Sequence, residues 1–396
     1  MSSTAGISAF TARIGRIEIS ATMAINNEAT TLRSQGVDLV DFGAGEPHFP
    51  TPEHIKQAGI EAIQKNFTKY TAVAGIKELR EAVAARHKQD FGSNYTFDET
   101  IVTTGGKSAL FNTFQVLIDH GDEVIIPVPY WVSFKDMVEF CGGKCAFVAT
   151  RADEAFRLTA AMVEKAITPR TRIILLNSPN NPSGAVVASE EMTAIMKLAA
   201  SRGIYVLSDE CYVYLNYTGH PFSLGSLKEY KDSLLLMGSF SKTYSMTGWR
   251  LGFALAPKAV IGQLQKLQSQ STSNPTSIVQ KAGLAALTAS QQCVAEMRAE
   301  FMQLRDRIVA GLRTIPGVKV NLPGGAFYAF PDVSEIATRA GISTTELTSR
   351  LLREGHVVGV PGEAFGLPGH IRFSYATSAG EIDRGLERVR TFFASL

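Results

Sequence analysis

The sequence predicts an α/β fold: a large domain with a mostly parallel central sheet covered by helices on both faces, plus a smaller α+β domain built from the C-terminal part and the N-terminal arm. Three observations carry this expectation. From about residue 100, short and almost continuously apolar runs alternate with amphipathic segments, the pattern of strands buried on both faces of a parallel sheet. Over roughly the last 80 residues the order changes to short strands flanked by helices, as in a separate mixed unit. Finally, 45% of the 396 residues are hydrophobic and 19% charged, enough apolar material for a sizeable core and too little charge for a disordered chain.

Along the chain, the first ~45 residues are polar and irregular, then helical at NNEATTLRSQG (26–36). They are expected to form an arm that leaves its own large domain and packs elsewhere. IVTT (101–104) reads as a strand feeding the helix KSALFNTFQVLI (107–118). EVIIP (123–127), RIILLN (172–177), YVLSD (205–209) and LLLMGS (234–239) follow as buried strands. Between them SEEMTAIMKLAASRG (189–203) reads as a helix that starts at a Ser cap and stops at Gly. One long helical stretch, roughly 275–313, joins the large unit to the small one. There VKVNLP, GAFYAFP, HVVGVP and IRFSYA read as short strands, with helices at TTELTSRLLREG and GEIDRGLERVRTFFASL. The expected divisions are 1–45 for the arm and part of the small domain, 46–300 for the large domain and 301–396 for the small C-terminal domain.

Composition narrows the function classes. With 39 basic and 37 acidic side chains the formal net charge is +2, which gives no general attraction to nucleic acid or anionic membrane. Any phosphate must therefore be held by a local site. No apolar run approaches the ~18 residues of a membrane span, and MSSTAGISAFTARIGRIEIS lacks the basic start and apolar block of a secretory signal. Four cysteines in this length do not make a disulfide framework, and Cys141 and Cys145 have no second pair at zinc spacing. They read as reduced thiols in a cytoplasmic protein with no metal.

The chemistry is concentrated at predicted strand ends. GSFSKTYSMTGWRLGF (238–253) follows the strand LLLMGS, so Ser239, Ser241 and Lys242 fall just beyond its C-terminal end, where open α/β sheets place ligands. Most lysines are solvated surface groups. This one lies between hydroxyl residues, with Arg250 eight positions on. Two hydroxyls and a guanidinium fork suit a phosphate dianion. A lysine beside such a cradle suggests a Schiff base to a phosphorylated aldehyde cofactor, pyridoxal 5'-phosphate.

That cofactor needs an acid for its pyridine nitrogen. YVLSDECY places Asp209 at the end of another strand, followed by Tyr212. An ionised carboxylate there would keep the ring nitrogen protonated, although an Asp capping the next helix explains the same position equally well. Tyr212 could donate its hydroxyl to the cofactor's phenolate oxygen. NSPNNPSG (177–184) also follows a strand; it reads as a plain turn, or as a turn that brings the Asn181 amide to the phenolate. TTGGKSAL (103–110) is a strand–GG–helix junction. Gly105 and Gly106 would let backbone approach a phosphate at a helix N-terminus, a weak signal when taken alone.

Together these runs make the chain similar to a known family over essentially its whole length. It resembles the class I aminotransferases of the pyridoxal-phosphate fold-type-I superfamily, nearest to the bacterial-type aspartate aminotransferases, some of which also aminate prephenate. The matching runs are GAGEP (43–47), TKYTAVAGIKELREA (68–82), TGGKSALFN (104–112), PYWVS (129–133), NSPNNPSG, SDECY, SKTYSMTGWRLG and IRFSYATS. The resemblance implies that Lys242 is the Schiff-base lysine and the acid/base of proton transfer. It implies Asp209 as the ring-nitrogen partner, with Tyr212 and Asn181 on the phenolate oxygen. It implies phosphate binding by the backbone at Gly105–Lys107 together with Ser239, Ser241 and Arg250. Trp131 matches the aromatic stacked on the ring, where ordinary core packing is the other reading. Tyr70 matches a tyrosine that reaches the phosphate from the other subunit, which implies a homodimer with shared active sites. Arg372 matches the clamp for the substrate α-carboxylate, with Gly45 contributing a backbone contact.

For the substrates, amino acids and 2-oxo acids, the resemblance implies aspartate as donor and 2-oxoglutarate as acceptor. Lys107 would reach the distal carboxylate, unless it simply points into solvent, and Thr22 matches a hydroxyl used near the same group. Exchange with prephenate, or a broader amino-acid range, is the second reading. Glu18, in GRIEISAT, stands where relatives with prephenate activity often carry a basic residue, and a negative charge there would weaken binding of a second carboxylate. His48 stands where relatives often carry Asp. A lyase or synthase on the same fold is the alternative outside the class, because fold does not settle reaction type. A regulator is remote, since no ~70 spare residues precede the motifs.

Overall fold

The computed structural model describes residues 10–17 and 21–396, with the backbone alone at 21–24 and 26. Its centre is a seven-stranded sheet: β1 (Thr100–Thr103), β2 (Glu123–Val128), β3 (Lys144–Ala149), β4 (Thr171–Asn177), β5 (Tyr205–Asp209), β6 (Leu234–Ser239) and β7 (Gly252–Leu255). The strand order is β1-β7-β6-β5-β4-β2-β3. Six strands run parallel and β7 alone runs opposite. β4, β5 and β6 are buried almost along their whole length, because helices cover both faces and leave the pleat no wet side. Two apolar clusters result, one on each side of the sheet. One contains Ile125, Ile174, Val206, Leu234 and Leu236; the other contains Val124, Ile126, Leu175, Leu207 and Leu235. Successive residues thus alternate between the two cores.

A third core lies apart from the sheet. It gathers Val40 and Phe42 near the N-terminus, Met297 to Leu312 on a long helix, and Phe327, Phe373, Val389 and Phe393. A three-stranded antiparallel sheet of Val360–Pro361, Ile371–Ser374 and Tyr328–Ala329 stands inside it, and Val40–Asp41 pairs in parallel with Val357–Val358. The helix Ala21–Ser34 packs here too: Ala29 meets Leu39, Leu352 and Val358. Residues 10–17, by contrast, lie against the helix Ser133–Phe140, where the Arg13 guanidinium is 5.6 Å from the Phe140 ring centre.

Several expectations need correction. The stretch 275–313 is two helices, Ser277–Thr288 and Gln292–Arg313. Gln291 breaks it by donating its side-chain amide to the carbonyls of Ala286 and Ala289. The helix at 189 is Ser189–Ser201, and its first residue Ser189 makes no cap bond, since the capping position is Ala188. VKVNLP forms one isolated bridge, Lys319 to Asp332, and no strand. β3 and β7 were not expected at all. Among the described residues no helix is long and apolar enough to cross a membrane.

Candidate active site

Parallel strands end together, so β4, β5 and β6 deliver Asn177, Asp209 and Ser239 to one edge; β4 and β5 pair Asn177 with Asp209, and β5 and β6 pair Asp209 with Met237. β7 explains why a residue far along the chain joins them. Running backwards, it begins at that edge, and its Gly252 pairs with both Ser239 of β6 and Thr103 of β1. Arg250, two residues before, is thereby set beside the turn after β1 and the turn after β6. The approach is tight. A Cβ on Gly252 would sit 2.3 Å from the Gly106 nitrogen, and one on Gly105 would sit 2.5 Å from the Arg250 guanidinium. Gly105 also has φ +84°, a conformation side chains resist.

A cavity of about 450 Å³ opens at this edge. Gly45, Gly106, Lys107, Trp131, Asn181, Asp209, Tyr212, Ser239, Ser241, Lys242, Arg250 and Arg372 all line it. Gly105 stands directly behind, as the cap of the helix Gly106–Leu117. Tyr70 is not in the cavity and is 91% exposed. Thr22 belongs to the helix Ala21–Ser34, but its side chain lies outside the described residues, as does all of Glu18. His48 is outside the cavity too, its Nε2 3.1 Å from Glu300 Oε1. Tyr328, Asn177 and Cys211 line the cavity and escaped the sequence reading. Only the strand-end position of Asn177 and the presence of Cys211 inside SDECY could have pointed to them.

The local geometry has two ends. At one, Ser239 accepts from the Ser241 N–H at 3.1 Å, which caps the four-residue helix Phe240–Thr243, and both serines line the cavity with Arg250. The N-terminus of Gly106–Leu117 points its free N–H groups the same way, with the partial positive charge of a helix start. At the other end Arg372, buried, donates from Nη1 to Asn181 Oδ1 at 3.0 Å and from Nη2 to the Gly43 carbonyl at 2.9 Å. Its guanidinium lies 4.5 Å from the Tyr328 ring centre, and Tyr328 in turn shares a 2.9 Å hydrogen bond with the Tyr212 hydroxyl. Lys107 sits over Trp131, its Nζ 4.8 Å from the ring centre.

Electrostatics sets the acid and the amine apart. Burial pushes the Asp209 carboxyl up to about 7, with the Glu210 charge adding and the Cys211 N–H, 3.0 Å from Oδ1, opposing. Asp209 therefore does cap the turn that follows it and also faces the cavity. Burial lowers the Lys242 ammonium, partly offset by Cys211 and Glu46, while Nζ donates to the Gly45 carbonyl. Burial lowers Lys107 as well, helped by Arg250. A buried acid with no counter-cation among the described residues, an amine biased toward its neutral form and a cradle of hydroxyls, guanidinium and backbone N–H groups fit a phosphorylated, cationic-ring aldehyde. A Cβ at Gly105 would fill that cradle.

Known proteins resemble this chain over nearly its whole length. Residues 37–389 match the family model for aminotransferase class I and II. The chain is 45% identical over 379 residues to the aspartate/prephenate aminotransferase of Thermus thermophilus, spanning 95% of this chain and 96% of that one. It is 42% identical over 383 residues to the aspartate aminotransferase of Geobacillus stearothermophilus, spanning 96% and 98%. Among solved structures, Thermus thermophilus aspartate aminotransferase with maleate matches with a TM-score of 0.93 and 44% identity, over 97% of this chain and 99% of that chain.

Proposed function

The chain belongs to the class I and II aminotransferases, and from that membership we propose its reaction: reversible transfer of the amino group from L-aspartate to 2-oxoglutarate, giving oxaloacetate and L-glutamate. It is a pyridoxal-phosphate-dependent transaminase. One observation carries the choice of substrates. Of the four cationic side chains that line the cavity, Lys242 and Arg250 would serve the cofactor, which leaves Lys107, over Trp131, and Arg372, on Asn181 and the Gly43 carbonyl, for the substrate. A dicarboxylic acid needs two such cations. The Thermus thermophilus structure was obtained with maleate, itself a dicarboxylate.

Pyridoxal phosphate, when bound, supplies an electron sink for the pair left by the substrate's α-hydrogen. Ser239, Ser241, Arg250 and the N–H groups at Gly105–Lys107 would hold its phosphate, and Lys242 would anchor it. Asp209, as a carboxylate, would hold the proton at the ring nitrogen. Asn181 Nδ2 and the Tyr212 hydroxyl would donate to the phenolate oxygen, and Trp131 would cover one face of the ring. Lys242 Nζ would take the proton from the substrate α-carbon, a role its bias toward the neutral amine favours. Arg372 would clamp the α-carboxylate with its fork, beside the Gly45 backbone, and Lys107 would meet the distal carboxylate near Thr22. Tyr70, exposed on this chain, would serve the phosphate of a second copy in a homodimer with shared sites.

The experiment is direct. Holoenzyme given aspartate and 2-oxoglutarate should transaminate at least ~10-fold faster, in kcat/KM, than with alanine as donor, a difference of about 1.4 kcal/mol. Equal rates would overturn the dicarboxylate reading, and turnover of aspartate without any 2-oxo acid would indicate a lyase. The name of the Thermus thermophilus relative supports a second reading, exchange with prephenate, which the same assay scores with arogenate as product.

A further inference from the structure

Asp209 faces the large cavity, while its neighbour Glu210 faces a second, smaller one of about 30 Å³ together with His87, Ser239 and Thr243. His87 and Glu210 are 4% and 7% exposed. His87 Nε2 lies 3.2 Å from Glu210 Oε2, and His87 Nδ1 lies 2.8 Å from Ser93 Oγ. On its other oxygen Glu210 accepts from Ser223 at 2.6 Å, with the Ser208 hydroxyl 3.4 Å away. One tautomer satisfies these contacts, with Nε2–H donating to the carboxylate, beside the Ser223 hydroxyl at 3.3 Å, and Nδ1 accepting from the Ser93 hydroxyl. The Glu210 carboxylate thus lies in a weakly polarisable interior, where a charge is felt several-fold more strongly than in water.

The neighbours register that charge. Burial raises the Tyr95 phenol and Glu210 raises it further, and Glu210 likewise adds to the rise at Asp209. The cation of the small cavity, Arg86, does not cancel it, because its Nε and Nη2 are forked onto Asp90. We propose that Glu210, held in place by His87 and Ser223, is the electrostatic support of Asp209, and that His87 is thereby a positioning residue for the cofactor's ring nitrogen. The proposal rests on the reading of Asp209 as the partner of that nitrogen. A fixed negative charge behind Asp209 tightens the hold on a cationic ring and does nothing for a ring that cannot carry a proton.

The test titrates the cofactor-free protein with pyridoxal phosphate and with an analogue carrying C–H in place of the ring nitrogen, reading bound-ligand absorbance. Glu210→Gln and His87→Phe should each weaken pyridoxal phosphate about tenfold and the analogue less than about twofold, while His87→Gln, which keeps an N–H donor, should stay within about twofold of wild type. Equal weakening of both ligands, or of neither, overturns the proposal and leaves the pair a packing device. Should Glu210→Gln fail to fold, the two His87 variants make the same discrimination. Asp209→Ala separates the two layers. If it leaves the preference for pyridoxal phosphate over the analogue intact, the assignment of Asp209 falls; if it abolishes that preference while Glu210→Gln does not, only the role of Glu210 falls.

Discussion

Arg372 donates to Asn181 at 3.0 Å, and so ties the small antiparallel sheet to the turn that follows β4 of the large sheet. One end of the site is thus built by two cores at once. The other end is built by the large sheet and its helices alone, around Ser239, Arg250 and Gly105.

Lys242 is expected to carry the cofactor. Lys242→Ala should lose the yellow colour of the bound cofactor together with transamination. Borohydride reduction of the wild-type holoenzyme followed by peptide mapping should label this lysine, and a label on another lysine would sink the assignment.

Asp209→Ala should leave the ring nitrogen without its counter-charge. The expected loss in kcat is at least ~100-fold, about 2.7 kcal/mol. Near-normal turnover with cofactor still bound would mean that another group holds the proton.

The same carboxyl should cost the cofactor-free protein stability. Its folded-state pKa, raised from 3.8 to about 7, means that the native state holds a proton the unfolded chain has released. Stability from this group is complete below pH ~4, is lost as pH rises toward 7 and is flat above, up to ~4 kcal/mol in all. Asp209→Asn should therefore melt higher than wild type at pH 8, with the gap closing by pH 4. Parallel melting curves for the two across that window would contradict the assignment.

Lys107→Ala should raise KM for aspartate and 2-oxoglutarate much more than for alanine, by roughly tenfold or more if a charge-assisted contact of ~1.5 kcal/mol is lost. Equal weakening of both donor types would assign Lys107 to the cofactor instead.

Gly105→Ala places a methyl 2.5 Å from the Arg250 guanidinium at φ +84°. Cofactor affinity, read by titration of the cofactor-free protein, should fall at least ~10-fold, from backbone strain of about 1–3 kcal/mol and the displaced guanidinium. Unchanged affinity would show that Arg250 moves aside without consequence.

How far the sequence could be read depended on which force placed each residue. Asp209 and Ser239 end uniform apolar runs, so their strands, Tyr205–Asp209 and Leu234–Ser239, were legible to the residue. Hydrophobic burial is written in composition. β3, KCAFVA, is a partly exposed edge strand and so lacks the uniform apolar run of its neighbours, while β7, Gly252–Leu255, continues a run whose glycine and polar residues mark a loop. The Gln291 break comes from side-chain hydrogen bonds to carbonyls, which leave hydrophobic periodicity untouched. Tyr328 was missed for a further reason. It reaches the cavity by the pairing of Tyr328–Ala329 with Phe373–Ser374, a tertiary relation that no local spacing encodes.

The segment Gly43–Gly45 has one more implication. Its carbonyls already engage the two side chains that ligands would need, Gly43 accepting from Arg372 and Gly45 from Lys242. For Arg372, arrival of a carboxylate is then a swap of acceptors and not the creation of contacts from nothing. The net gain is the difference between a neutral carbonyl and an anionic oxygen, on the order of 1 kcal/mol per donor. Such a site is expected to favour an anionic group over a neutral one of the same shape, with the protein's own backbone competing for the donor when product leaves.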